Sequence, residues 1–147
     1  MLFDRFFDAV EYWATETPHA DATWFKGQTL TYQQLANEVN SFSRALIGAG
    51  VKKGDVIAVL TTPRPEFLIA LTAIHKAGAI YLGINPSYTQ REQMHVVTDA
   101  QPTIIFSLAE TGGRHYADDI AELAKIPSVQ HTWRLDNGPQ TGCLWPI

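Results

Sequence analysis

The chain has 147 residues, a hydrophobic fraction of 46% and a formal charge of -4, from 11 Lys+Arg against 15 Asp+Glu. That apolar content excludes a disordered tail, and the mild acidity offers nucleic acid no clustered basic face. The single cysteine, Cys143, excludes an internal disulfide framework and fits a cytoplasmic protein.

The chain opens with MLFDRFFDAVEYW. Phe3, Phe6, Phe7, Val10 and Trp13 recur at helical spacing and predict an amphipathic helix. Asp4, Arg5, Asp8 and Glu11 break the apolar run that a signal peptide needs. The polar face is acidic, so the helix is expected to dock on the body of the protein rather than on a membrane surface. Pro18 ends the period. ATWF and QTLTY, on either side of Lys26-Gly27, read as a hairpin. Thr31 opens TYQQ, a capping box with Gln34, and the helix behind it runs to about Ile47 with Leu35, Val39, Phe42 and Leu46 as its apolar stripe.

Val56 to Leu60 is a continuous apolar run, the pattern of a strand covered on both faces. Pro65 stands where the first turn of a helix begins, and that helix is expected to stop at Lys76-Ala77-Gly78. Ala79 to Ile84 is the next buried strand. The two segments together, FLIALTAIHKAGAIYLGI, are about long enough to span a bilayer, but His75 and Lys76 at the middle argue for a helix stop and no transmembrane segment.

Asn85-Pro86 turns the chain. Thr89 caps a further helix through TQRE, with Glu92 as the reciprocal partner and Met94, Val96 and Val97 facing inward. The strand TIIFS follows Pro102, then the loop LAETGGRH, a helix from Tyr116 to Lys125 and a last strand in SVQHTWRL. Helices and buried strands alternate from about residue 31 to 135, which predicts an α/β fold with a mostly parallel sheet. Residues 1–135 are expected to form one partial domain and 136–147 a loose tail.

Few residues offer chemistry. Gly48 to Asp55, GAGVKKGD, is Gly-rich and basic, but it follows a helix and precedes a strand, the reverse of a phosphate cradle. His19, His75, His95, His115 and His131 are scattered without zinc spacing. Glu92, His95 and Asp99 share a helix face, and His115 lies near Asp118 and Asp119; solvated polar faces account for both. Ser107 lacks a nucleophile elbow, and Cys143 has no base beside it. Trp13, Trp24, Phe25 and Phe42 sit in periodic segments and are expected in the core. No catalytic residue and no metal ligand is assigned.

Three segments carry a family resemblance: TYQQL, EFLIALTAIHKAGA and NPSYTQRE. Together with their surroundings, roughly residues 5 to 130, they resemble the N-terminal part of the adenylate-forming (AMP-binding) enzymes: acyl-CoA synthetases, luciferases and peptide-synthetase adenylation domains. The resemblance implies an ATP-dependent acyl-CoA synthetase acting on a fatty or other small carboxylic acid, with ATP, Mg and CoA as cofactors of the full-length enzyme. It implies a Ser/Thr/Gly-rich phosphate loop ending in Pro-Lys-Gly, which this chain lacks. The chain is therefore expected to be inactive alone, to bind none of these cofactors tightly, and to self-associate through exposed apolar surface. Within the resemblance, luciferase-like or peptide-synthetase adenylation stays open; the alternative of a different class is a free-standing, non-catalytic α/β interaction module. The resemblance also implies that Asn85, Pro86 and Ser87, with Arg114, lie near the CoA nucleotide. The plain reading of the same residues is a structural turn and a solvated arginine.

Overall fold

A computed structural model describes residues 3–135; the predicted tail, with Cys143, lies outside the described residues. The chain forms two compact units, Met1–Lys53 with Pro63–Gly78, and Gly54–Thr62 with Ala79–Ile147.

The first unit holds α1 (Phe6–Glu16), β1 (Asp21–Phe25), β2 (Gln28–Thr31), α2 (Tyr32–Gly48) and α3 (Pro65–Lys76). The three helices pack on one another, so α1 docks on protein as its acidic polar face suggested. Lys76 reaches back to Glu11, and its Nζ stands 5.4 Å from the Phe7 ring centroid. Leu35, Val39, Phe42 and Leu46 are all buried, which is the stripe read from the sequence. The Thr31 hydroxyl accepts from Gln34 N at 3.3 Å, and Gln34 Oε1 accepts from Thr31 N at 2.9 Å, closing the predicted box. The far end of α2 closes on Gly50, at φ +90°: Val51 N donates to Leu46 O and Gly50 N to Ile47 O. That paired closure needs a left-handed residue, which glycine adopts without a Cβ clash. The amides of Ala49, Gly50 and Val51, in the first half of GAGVKKGD, are thus spent on the helix end.

Two aromatic expectations fail in this unit. Trp24 is 74% exposed and Trp13 41%. Trp24 sits in a two-stranded ribbon that pairs β1 with β2 antiparallel, and a ribbon of two strands has one face left to solvent. Trp13 is held at the surface by ring contacts with Tyr12 and Tyr32.

The second unit holds β3 (Val56–Leu60), β4 (Ile80–Ile84), α4 (Gln90–Ala100), β5 (Ile104–Ser107), β6 (Glu110–Thr111), β7 (Arg114–His115), α5 (Ala117–Leu123) and β8 (His131–Arg134). Its four-stranded sheet has the order β4-β3-β5-β8, parallel throughout. This is the α/β architecture the alternating pattern predicts. Ile57, Ala58, Val59, Leu60, Ile105 and Phe106 are each 1% exposed or less, so both strand faces are buried. Ala58, Leu60, Ile84 and Ile105 share a cluster with Val97 of α4 and with Tyr116, Leu123 and Ile126 around α5.

The segment from Ala79 to Ile84, read as a buried strand, is instead half covered, because β4 lies at the sheet's edge and Ile80 is 52% exposed. Three further local details depart from expectation. LAETGGRH is not a plain loop, since β6 and β7 pair within it. α5 is shorter than Tyr116 to Lys125, because its last turn closes at Ala124. On α4 the fully buried neighbour of Val97 is Gln93, while Val96 is only partly buried. No helix among the described residues is long and apolar enough to cross a membrane.

Candidate functional site

In a parallel sheet every strand ends at the same edge, and ligands of open α/β sheets bind outside that edge, near the point where strand order reverses. Here the reversal lies between β3 and β5. The segments leaving that edge include Asn85-Pro86-Ser87-Tyr88 after β4 and Leu108-Ala109 with the β6–β7 hairpin after β5.

The turn after β4 is built locally. Asn85 Oδ1 accepts from Ser87 N at 2.9 Å, an Asx-type closure, and Asn85 O accepts from Tyr88 N at 3.0 Å. Pro86, with its fixed φ, occupies the first central position. Thr89 then caps α4: its hydroxyl accepts from Glu92 N at 3.3 Å, and Glu92 Oε2 accepts from Thr89 N at 2.7 Å.

Arg114 arrives from 26 to 28 residues away. Thr111 and Arg114 are paired, and the two glycines between them, at φ +59° and +85°, supply the left-handed turn of a tight hairpin. The turn places Arg114 beside the Asn-Pro segment. Its Nη1 donates to Pro86 O at 3.1 Å and Tyr88 O at 2.7 Å, and its Nη2 donates to Asp119 Oδ2 at 2.6 Å. The Tyr116 hydroxyl, on a 1% exposed residue, donates to Pro86 O at 3.2 Å. All four residues read from the resemblance therefore meet in one cluster. The sequence reading missed Tyr116 and Asp119. Arg114 to Asp119 spans a strand end and a helix start, so no single period marks the pair.

The remaining candidates are otherwise engaged. Glu92 is spent on its cap, and Asp119 on Arg114. His115 faces Glu110 across the hairpin at 3.8 Å, with both side chains largely exposed. Ser107 is buried at the end of β5, beside a cavity of about 230 Å³ lined also by His115, Tyr116, Ile120 and Arg134. Burial pushes the Tyr81 phenol up to about 12, so it stays protonated near neutral pH and is no general base.

Hydrogen bonds from the Thr89 backbone and hydroxyl hold the Glu92 carboxyl below its ordinary value of 4.5. A carboxyl lowered in the folded state adds stability above its unfolded pKa, and that stability is lost as pH falls through the folded one. Gln34 already closes the other box as a neutral side chain. Glu92→Gln is therefore expected to keep the α4 cap but to remove this acid-side dependence. Urea midpoints against pH for both forms check it: the gap should close below pH 4.5, and an unchanged gap down to strong acid would refute it.

Magnesium demands several hard oxygen ligands in octahedral array. Among the described residues no three His, Cys, Asp or Glu side chains converge to hold a metal. A metal cage built from side chains alone is thus absent among the described residues, whereas magnesium on a nucleotide draws most of its oxygens from phosphate and water. A nucleotide phosphate fits the Asn-Pro cluster only in part, because Asp119 already balances the Arg114 charge.

Comparison with known proteins places these features in context. A family model described as AMP-binding enzyme matches residues 10–144. The chain is similar to a linear gramicidin synthase of Brevibacillus parabrevis, 33% identical over 99 residues, which cover 67% of this chain and 2% of that protein. It is similar to a plipastatin synthase of Bacillus subtilis, 31% identical over 118 residues, covering 80% of this chain and 3% of that protein. Among solved structures it resembles the anthranilate CoA ligase AuaEII in complex with anthranoyl-AMP, with a TM-score of 0.81 at 23% identity, covering 93% of this chain and 26% of that one. That likeness speaks for the fold. The chain thus spans a few per cent of these synthases and about a quarter of the ligase.

Proposed function

Because the chain belongs to the AMP-binding enzyme family, we propose that it supplies the N-terminal scaffold of an ATP-dependent acyl-CoA synthetase. In that reaction a carboxylate attacks the α-phosphate of ATP and pyrophosphate leaves. The thiol of CoA then takes the acyl group from the adenylate and AMP leaves. The substrate would be a fatty or related carboxylic acid. Residues 1–135 would be part of the enzyme's large domain. No step of adenylation is assigned to a residue of this chain.

The observation that carries the proposal is the match over residues 10–144, joined to the cluster at the sheet's carboxyl edge. Asn85, Pro86, Ser87 and Arg114 would lie beside the CoA nucleotide, with the turn backbone rather than a catalytic side chain facing it. Exposed apolar side chains, Phe6 at 50%, Ile47 at 56% and Ile80 at 52%, are in keeping with a scaffold that further protein would cover.

A second reading has its own support: the curated relatives named above are peptide synthetases, which favours adenylation of an amino acid and transfer to a carrier thiol. A third, the non-catalytic module, needs none of this chemistry.

The 147-residue chain alone is expected to give no acid-dependent ATP–pyrophosphate exchange. Exchange by pure protein would overturn the assignment of the chemistry to other residues. The coding DNA is read past Ile147 in three frames, and any longer protein it encodes is assayed for exchange. Exchange driven by non-amino acids, with CoA thioester as product, supports the synthetase. Exchange driven only by amino acids supports the second reading. A stop with no phosphate-loop frame favours the module.

A further inference from the structure

We infer that Arg114 is a positioning residue: it fixes the turn from Asn85 to Tyr88 by bridging two of its backbone carbonyls, and it does not itself hold a phosphate. What the turn meets, the CoA nucleotide, rests on the function proposed above. How the turn is held is independent of that reading.

A single Nη1 ties Pro86 O, at 3.1 Å, to Tyr88 O, at 2.7 Å. Each of these oxygens also accepts a second bond, Pro86 O from the Tyr116 hydroxyl at 3.2 Å and Tyr88 O from Gln93 Nε2 at 3.3 Å. A carbonyl oxygen has two lone pairs, so both acceptors are saturated. The bonds come from three directions: β7, the residue before α5, and α4. Gln93 is fully buried, and its only hydrogen bond from the side chain among the described residues goes to this turn. Burying an amide is costly unless it is bonded; Gln93 Oε1 is buried without a partner among the described residues, so the bond from Nε2 to the turn is the one that offsets that cost.

Charge argues the same way. Asp119, whose side chain is 14% exposed, holds Nη2 at 2.6 Å, so the pair is neutral as a whole. A phosphate drawn to Arg114 would meet that carboxylate as well. The guanidinium plane also lies over the Tyr116 ring, its carbon 5.2 Å from the centroid. Reaching two carbonyls, a carboxylate and a ring face together requires a rigid planar fork. Lysine, a single charge point on a flexible stem, cannot reproduce it.

The test uses Arg114→Lys, Arg114→Ala and Tyr116→Phe, the last keeping the buried ring and removing only the hydroxyl. NMR-detected amide exchange in the 147-residue chain reads the turn through Ser87 N and Tyr88 N, both bonded to Asn85. Amides of β3 and β5 serve as the folding control. Exchange at the two reporters is expected to rise about tenfold or more in both Arg114 variants, and less in Tyr116→Phe. Wild-type exchange in Arg114→Lys would overturn the inference.

In any longer enzyme so obtained, KM is compared for CoA, 3′-dephospho-CoA and pantetheine, which has no phosphate. A positioning role raises all three alike. A rise confined to the phosphate-bearing acceptors would make Arg114 a phosphate contact and overturn the inference. Absence of any CoA-dependent activity in the wild type would remove the functional reading, while the exchange data would still decide what Arg114 does.

Discussion

Phe106→Ala is expected to destabilise the chain by about 3–5 kcal/mol, the usual cost of emptying a packed aromatic site. Phe106 is 0% exposed on β5, an interior strand of the sheet. Its backbone lies opposite Val59 on one side and Trp133 on the other, and its ring stands 5.4 Å from the Trp133 ring. Close-packed neighbours relax only partly, so the variant loses both the buried ring and the contacts around it. A domain of ordinary stability, about 5–15 kcal/mol, would lose a large share of it. Urea unfolding followed by circular dichroism reads the change as a lower midpoint at similar slope. Trp24→Ala is the matched control, because Trp24 is 74% exposed and should shift stability by no more than about 0.5 kcal/mol. Equal losses in the two variants would contradict the core described above.

Arg64→Ala is expected to cost nearly as much, by a different route. Glu66 is 7% exposed in the first turn of α3, a charge taken largely out of water. Arg64 meets it with two parallel bonds, Nε to Oε2 at 2.7 Å and Nη2 to Oε1 at 2.9 Å. The same guanidinium lies 5.6 Å from the Phe25 ring centroid. Removing the arginine leaves a buried carboxylate without its counter-ion, a change that costs about 3–5 kcal/mol when the pair is well shielded. Arg64 keeps some solvent contact, with a side chain 23% exposed, so the lower end of that range is expected. Replacing both partners by apolar residues of similar size, Arg64→Met with Glu66→Leu, should recover most of the loss. A double-mutant cycle measures this directly. Additive single losses, with no recovery in the double variant, would show that the pair is not coupled.

These two expectations draw on different levels of information. Phe106 sits in a run, TIIFS, whose apolar continuity already marks a buried strand. Arg64 and Glu66 flank a proline at a helix start, which marks the helix but says nothing of burial.

By itself the sequence determined what is decided within a few residues. Both capping boxes, Thr31 with Gln34 and Thr89 with Glu92, formed as read, because their donors and acceptors are three residues apart. The same holds for the end of α2 near Ile47 and the proline-led start of α3. The parallel α/β class followed from continuous apolar runs alternating with helical periods, a pattern that burial of β3 and β5 on both faces explains. The motifs TYQQL and NPSYTQRE carried the family for the same local reason, since they encode caps and a turn.

Only the tertiary structure decided the order β4-β3-β5-β8, because strand neighbours are set by pairing across many residues and not by any strand's own pattern. It also exposed Trp24, which a two-stranded ribbon cannot cover. The role of Arg114 is the clearest case. Its sequence neighbours, two glycines among them, suit a phosphate contact or a solvated loop arginine. Its partners are carbonyls 26 and 28 residues earlier and a carboxylate five residues on. A side chain's hydrogen bonds depend on which groups folding brings within about 3 Å, and that distance is a property of the packed chain.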